Sequence, residues 1–286
     1  MRDHGRVSRW ARAAAGMGCG LVATALTAHP VAVAAPPGAE YVALGDSGAA
    51  TTGVQHLDLT APPLCARSTV NTPATVAEQL GLRLDDRTCS SARITHLTSA
   101  QGAGIAPQFE ALGPATRLVT LHIGANDANF TRHVVACHLG TVAGRDCADP
   151  AWDAEIDAIA GDYAAALRQI TALAPGAAIF VDGWPSYTDG RTCAAMLGLD
   201  TAGAARIQAA FDRLNGVVAA QARAAGATYV DTVAAARGHD MCAPPGVRWF
   251  EPVVADQTLV PYHPTVEGMR GVAEVVVAAV RASGFR

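Results

Sequence analysis

The chain has 286 residues, of which 50% are hydrophobic, 16% are charged and 5% are aromatic. The apolar content is large enough to bury a full core and the formal net charge of −4 is small, so the composition excludes an intrinsically disordered chain. The chain has no lysine, and its arginines form no cluster beyond the N-terminal region, so nothing in the sequence suggests a nucleic-acid groove.

Residues 1–35 are predicted to be a signal peptide. A positively charged start is followed by a short apolar stretch at residues 16–27 and by small residues before Ala35. A membrane anchor is the alternative, but the stretch is shorter than the ~20 residues that span a bilayer, and His29-Pro30 interrupts it. Cleavage after Ala35 removes four arginines and one aspartate, which leaves residues 36–286 as one secreted domain of net charge −7 without a stable membrane span.

Six cysteines remain after the leader is removed, and an even number in an exported protein indicates disulfide bonds. Six cysteines allow fifteen pairings. The simplest pairing is sequential: Cys65–Cys89, Cys137–Cys147 and Cys193–Cys242. A metal site is the alternative, but no Cys/His pair has the spacing of a zinc site, so we expect no metal.

Strands and helices alternate along the rest of the chain. Short apolar runs bounded by glycine or proline predict strands at residues 41–44, 83–88, 117–123, 177–181 and 227–230. Apolar positions at helical spacing predict helices at residues 73–81, 152–173, 202–224 and 265–282. This alternation predicts one α/β domain with a parallel sheet that is covered by helices on both faces.

Two polar segments directly follow predicted strands. Gly45-Asp46-Ser47-Gly48 follows the first strand, and Gly124-Ala125-Asn126-Asp127 follows the third. Because the carboxyl ends of parallel strands meet at one edge of a sheet, we expect both segments there. A serine on a tight turn can present its hydroxyl, and an asparagine amide can donate to an oxyanion. Taken alone, each segment also fits an ordinary polar turn or a helix cap.

A third segment, His263-Pro264-Thr265, precedes the last predicted helix. Histidine is the side chain best suited to accept a serine proton near neutral pH. The chain has nine histidines, and a surface loop position is the alternative for any one of them.

In this order the three segments resemble the SGNH (GDSL-type) hydrolase family, and more closely its secreted actinobacterial lipases and esterases with three disulfides. The likeness runs from about residue 40 to the C-terminus and includes YVALGDS at 41–47, CSSA at 89–92, GAND at 124–127 and HP at 263–264. The resemblance implies a three-layer α/β/α sandwich with a central parallel, flavodoxin-like sheet. It also implies a serine mechanism that needs no metal and no cofactor.

Carried over by position, the resemblance makes Ser47 the nucleophile and His263 the general base. The implied oxyanion donors are the backbone N–H groups of Ser47 and Ser91 and the side chain of Asn126. Ser91 stands where the family has a glycine, and Ala125 replaces a second glycine. Serine is less favourable than glycine if the turn needs a positive φ, and its side chain narrows the site.

The largest departure concerns the acidic member of the triad. Many relatives have an aspartate three residues before the histidine, where this chain has Val260. We hypothesise that the main-chain carbonyl of Val260 accepts the Nδ1 proton of His263, as in some actinobacterial relatives, and Asp256 is the weaker alternative. A neutral acceptor fixes the tautomer but stabilises the imidazolium less than a carboxylate does. Asp46 and His122 are expected to be structural.

These observations predict a secreted, monomeric serine ester hydrolase that acts on a small-molecule or lipid ester. Four aromatic residues are candidates to line an acyl groove: Phe130, Trp184, Trp249 and Phe250. Two alternatives stay open. A carbohydrate or cell-envelope deacetylase uses the same machinery, and a non-catalytic surface binding protein could be built on the same scaffold.

Overall fold

The computed structural model describes residues 39–50, 56–147, 149–258 and 260–285. The predicted signal peptide lies outside the described residues. Within the described part of the chain, none of the helices is long and apolar enough to cross a membrane.

Five parallel strands form the central sheet, in the order β2-β1-β3-β4-β5. The strands are β1 (Tyr41–Gly45), β2 (Leu84–Asp86), β3 (Leu118–His122), β4 (Ala178–Asp182) and β5 (Thr228–Val230). β1 and β3 are buried along their whole length, as expected for strands that are covered on both faces. This strand order is the flavodoxin-like one, so the predicted fold class is confirmed.

The α-helices pack in two groups around this sheet. They are α1 (Ser47–Ala50), α2 (Thr72–Leu80), α3 (Phe130–Val142), α4 (Pro150–Ala158), α5 (Ala160–Leu173), α6 (Thr201–Ala224) and α7 (Val266–Ala282). α2 packs against α7, whereas α3, α4 and α5 pack against α6. Right-handed crossovers explain the division, because the chain moves one way along the sheet from β1 to β2 and the other way from β3 to β5.

Two helical segments differ from the sequence prediction. The single helix predicted at residues 152–173 is divided into α4 and α5 at Ile159, whose N–H bonds to the Ile156 carbonyl in a tighter turn. Ile159 is buried and lies against Gly124, a tertiary contact that helical spacing does not reveal. Helix α3 was not predicted, because its apolar residues lie on the solvent side as well as the core side and give no amphipathic pattern.

The sequential disulfide pairing is confirmed. The structure contains Cys65–Cys89, Cys137–Cys147 and Cys193–Cys242. The first bond ties the loop after β2 to the segment that follows α1, and it therefore lies beside the sheet edge at which the polar segments meet.

Candidate active site

The candidate site lies at the carboxyl ends of β1 and β3, the point at which the strand order of the sheet reverses. Open α/β sheets bind ligands at such a point. Ser47 is the first residue of α1, two residues beyond the end of β1. The end of β1 is held by Gln108, whose side chain accepts from the Gly45 N–H at 2.8 Å and donates to the Gly45 carbonyl at 2.9 Å. A Cβ at position 45 would lie 2.6 Å from the His122 carbonyl oxygen, so this close approach requires glycine.

The structure brings Ser47 and His263 together across 216 residues of sequence. Ser47 Oγ and His263 Nε2 are 2.9 Å apart, which is hydrogen-bonding distance. His263 is carried by the loop before α7, and this loop pairs with Glu251 through two backbone hydrogen bonds: the Glu251 N–H donates to the His263 carbonyl, and the Tyr262 N–H donates to the Glu251 carbonyl. Tyr262 has φ +61°, and its hydroxyl is 2.6 Å from His138 Nε2 on α3.

The predicted acceptor for the imidazole is wrong by one residue. His263 Nδ1 lies 2.9 Å from the carbonyl oxygen of Pro261, whereas the Val260 carbonyl accepts the backbone N–H of His263. The left-handed backbone of Tyr262 bends the chain between Pro261 and His263, and the Pro261 carbonyl then lies beside the imidazole ring. Asp256, the weaker alternative, pairs with the Arg248 guanidinium instead.

The hydrogen bonds of the His263 imidazole suit a general base that accepts a proton at Nε2. With Nδ1 donating to the Pro261 carbonyl, Nε2 is free of a proton and can accept from the Ser47 hydroxyl. Burial lowers the pKa of His263 below its ordinary value, and the hydrogen bond to Pro261 offsets this only in part. The ring therefore stays neutral at neutral pH.

Ser91 occupies the strained corner of a tight turn. The Ala92 N–H donates to the Cys89 carbonyl, and Ser91 has φ +62° at the third position of this turn, which favours glycine in type II turns. The Cys89 N–H donates to the Gly45 carbonyl, so the turn is fixed to the end of β1. Ser91 therefore has the positive φ that favours glycine, the residue that the resemblance places at this position.

Asn126 links the third polar segment to the same turn. Its side-chain amide donates to the Ala92 carbonyl at 2.9 Å, and the amide has a second N–H. The next residue, Asp127, accepts from the Ile94 N–H at 3.1 Å. Burial raises the pKa of the Asp127 carboxyl to about 6. The N-terminal cap position of α3 belongs to Asn129, so Asn126 does not cap that helix.

A buried charged cluster lies beneath Ser47, and the sequence analysis missed its connection to the site. His122 Nδ1 is 2.8 Å from the Asp182 carboxylate, and the His122 ring lies 4.5 Å from the Trp184 ring. Asp46 accepts the Gly48 N–H, and burial raises the pKa of its carboxyl to about 6. Burial alone lowers the pKa of His122, but the Asp182 and Asp46 carboxylates more than reverse this, and the net shift is upward. Asp46 and His122, which were expected to be structural, lie directly against the turn that carries Ser47.

An apolar cavity of about 540 Å³ opens beside Ser47 and His263. Ser91 and Asn126 also line it. Its larger apolar and aromatic walls are Phe130, Val134, Trp184, Tyr187, Phe211 and Tyr262. Phe130 and Trp184, which were expected to line an acyl groove, line this cavity. Trp249 and Phe250 do not: Trp249 packs against Gly271, and Phe250 stacks on Tyr187 from within the core.

Serine hydrolases use a serine hydroxyl that is hydrogen-bonded to a histidine nitrogen, with amide donors nearby. The cavity described above has this arrangement. The family described as GDSL-like Lipase/Acylhydrolase matches residues 43–270. The chain is 40% identical to "Lipase 2" of Streptomyces coelicolor in a 265-residue alignment that covers 88% of this chain and 89% of that protein. It is 33% identical to a "Lipase" of Streptomyces rimosus in a 258-residue alignment that covers 86% of this chain and 89% of that protein. The chain therefore belongs to the GDSL family of lipases and acylhydrolases and is a carboxylic ester hydrolase.

Two solved structures are similar over nearly their whole length. The extracellular lipase of Streptomyces rimosus superposes with a TM-score of 0.68 at 30% identity, covering 84% of this chain and 98% of that one. The phospholipase A1 of Streptomyces albidoflavus has the same TM-score at 29% identity, covering 85% and 98%.

Proposed function

We propose that this protein is a secreted lipase or esterase that cleaves acyl esters through a Ser47 acyl-enzyme, with His263 as general base. The observation that carries the proposal is the 2.9 Å contact between Ser47 Oγ and His263 Nε2 at the wall of an apolar cavity.

The proposed reaction is a double displacement. His263 Nε2 takes the Ser47 proton as Oγ bonds to the acyl carbon, and the carbonyl oxygen becomes an oxyanion. When the C–O bond to the alcohol breaks, His263 returns the proton to the leaving oxygen. A water then loses a proton to His263 and attacks the acyl carbon, and when the bond between that carbon and Ser47 Oγ breaks, His263 returns the proton to Oγ and the acid is released. The Pro261 carbonyl holds the imidazole in the required tautomer in both steps.

The oxyanion is assigned to the N–H groups of Ser47 and Ser91 and to the amide of Asn126. Removing one such donor typically costs about 10²–10³ in kcat. Asn126→Ala is therefore expected to lower kcat by about this factor while the protein stays folded. Backbone donors survive side-chain changes, so Ser91→Gly should retain activity, and it should relieve the strain of a positive φ.

The apolar walls favour an acyl chain as the bound part of the substrate. Each methylene that enters contributes about 0.8 kcal/mol, so kcat/KM should rise from acetyl to octanoyl esters until the cavity is filled. The similarity to a lipase and to a phospholipase A1 supports the same substrate class. A carbohydrate or cell-envelope deacetylase would instead prefer the acetyl ester.

The first test is hydrolysis of p-nitrophenyl acetate, butyrate and octanoate by residues 36–286, with the disulfides formed. Ser47→Ala is expected to abolish turnover with unchanged circular dichroism, and a radiolabelled serine-directed phosphonate should label the wild type but not this variant. A folded wild-type protein that neither turns over any of the three esters nor reacts with the phosphonate would refute the proposal and favour the binding-protein alternative.

Export and oligomeric state belong to the same proposal. The predicted leader at residues 1–35, the three disulfides and the extracellular relative support secretion. We expect N-terminal sequencing of the culture-medium protein to begin at Pro36, and we expect a monomer by sedimentation. Retention of the intact N-terminus in the cell would contradict export.

A further inference from the structure

Helix α3 is apolar on the side that faces solvent as well as on the side that faces the core. Val135, Leu139 and Val142 follow one another at intervals of four and three residues, and they are 51%, 63% and 68% exposed. A single exposed apolar side chain is ordinary on a protein surface, whereas a contiguous group marks an interaction site. The outer face of α3 therefore has the character of an interaction site.

Two further segments extend this face. Val142 lies close to Gly198, since its Cγ2 is 3.3 Å from the position that a Cβ on this glycine would take. The residue next to Gly198, Leu197, is 54% exposed. The Ala195 carbonyl accepts the N–H of Val254, which is 50% exposed. We call five side chains the apolar rim: Val135, Leu139, Val142, Leu197 and Val254. They account for half of the ten exposed large apolar side chains in the described part of the chain.

The apolar rim is continuous with the cavity of the candidate active site. Val135 and Leu139 line that cavity, as does Val253, the neighbour of Val254. The three segments that carry the rim, residues 133–144, 193–199 and 252–255, contain no arginine, aspartate or glutamate. The part of the cavity wall that belongs to these segments therefore carries no arginine and no carboxylate, and charged residues, among them Arg132, Arg145 and Asp256, flank the segments along the chain.

We infer that the apolar rim is a docking surface for lipid that carries no net charge, such as a phosphatidylcholine bilayer. Docking would place the cavity mouth on the lipid, so that an acyl chain passes from one apolar phase to another without crossing water. The choice of lipid follows from charge: the rim has no arginine to attract an anionic headgroup, and the domain after leader removal has a net charge of −7. The inference rests on the proposed function, because it assigns the cavity to an ester-linked acyl chain.

The test separates binding from catalysis by measuring binding in a Ser47→Ala background. Val142→Asp and Leu197→Asp are combined, since both side chains are exposed and neither lines the cavity. Leu173→Asp is the matched control. Leu173 is 43% exposed at the end of α5, and because β4 begins soon after it, this residue lies at the amino edge of the sheet, opposite the site.

Co-sedimentation with phosphatidylcholine vesicles should show binding by the Ser47→Ala protein and by the Leu173→Asp control. The Val142→Asp/Leu197→Asp pair should weaken it by at least about tenfold, because two apolar contacts are replaced by charges. In active protein, the pair should lower hydrolysis of phosphatidylcholine vesicles or emulsified tributyrin by about tenfold, and it should change kcat/KM for dissolved p-nitrophenyl butyrate less than about twofold.

Three results would overturn the inference: no binding to phosphatidylcholine vesicles, equal binding by the rim pair and the control, or a dimer in the ultracentrifuge that the rim pair dissociates. The last would identify a second copy of the chain as the occupant. Failure of the proposed function is distinguishable, because a protein that binds vesicles through the rim but hydrolyses no ester would refute only the enzyme mechanism.

Discussion

Replacing Gly48 with alanine is expected to damage the candidate site, although the same change in a helix usually stabilises a protein. A Cβ on Gly48 would lie 2.3 Å from His122 Nε2 and 2.7 Å from Cδ2 of the same ring. Unstrained contacts between such atoms are about 3.5–4.0 Å, so either the ring or the Ser47 turn must move by about 1 Å. The ring is held by the Asp182 carboxylate and by Trp184, so we expect the turn to move.

The expected magnitude follows from this displacement. Overpacking of this kind costs about 1–3 kcal/mol, and for a domain of this size that lowers Tm by roughly 2–12 °C. Misplacement of a reacting group by about 1 Å can cost about 10²-fold in rate, so kcat for p-nitrophenyl butyrate should fall by about that factor. The assays are thermal unfolding by circular dichroism and steady-state hydrolysis.

Two controls make the reasoning refutable. Gly216→Ala in α6 adds a Cβ that meets no atom within 4 Å apart from its chain neighbours and the backbone of its own helix, and it should stabilise the protein by about 0.5–1 kcal/mol. In a His122→Ala background the clash is absent, so Gly48→Ala should cost much less there than in the wild type. Full activity in Gly48→Ala, or an equal loss in both backgrounds, would refute the assignment of the effect to His122.

Three other predictions concern the histidine loop and the serine turn. Because burial lowers the pKa of His263 and the base must be neutral, kcat/KM should fall only as pH drops through a midpoint below the ordinary value of about 6.5. Tyr262→Phe removes a hydrogen bond to His138 worth about 1 kcal/mol, so kcat should fall about fivefold with KM nearly unchanged. Cys65→Ala/Cys89→Ala opens a loop with a sequence separation of 24, and it should cost about 3–4 kcal/mol of stability and lower kcat by freeing the Ser91 turn.

Each of these has an outcome that would contradict it. For the pH profile, circular dichroism must first show a folded protein across the range, and a midpoint above 6.5 would count against a buried neutral base. For Tyr262→Phe, a change confined to KM would show that the hydroxyl serves the cavity wall rather than the histidine loop. For the cysteine pair, an unchanged Tm would refute a stabilising role for the bond, and the Cys193→Ala/Cys242→Ala pair is the comparison for a bond away from the Ser91 turn.

The alternation of elements and the position of Ser47 and Asn126 at one edge of the sheet could be predicted from the sequence because they depend on local pattern. A buried strand that ends at glycine, as at Gly45 and before Gly124, marks a turn at the carboxyl edge of the sheet, and parallel strands bring such edges together. Ser47 and Asn126 follow those two turns, so their presence in one cavity follows from topology. The even number of cysteines after the predicted leader indicated that disulfides form, but it did not select the sequential pairing among the fifteen possible ones.

Other features depended on contacts between residues far apart in sequence. The backbone dihedral angles of one loop decide whether the Val260 or the Pro261 carbonyl lies within hydrogen-bonding distance of His263 Nδ1. This loop pairs with Glu251 and contacts α3 through Tyr262. Neither dihedral angles nor those contacts leave a periodic signal in the sequence.

Helix α3 and the cluster beneath Ser47 were also not predicted, because neither leaves a periodic signal in the sequence. The helix is apolar on both sides, one side filling the core and the other forming the apolar rim, so it has no amphipathic pattern to detect. His122 and Asp182 lie at the ends of adjacent strands, and only the register of β3 and β4 places them together. Sequence by itself determined which residues stand at the edge of the sheet, whereas the tertiary structure decided which of them touch, because contact depends on long-range packing.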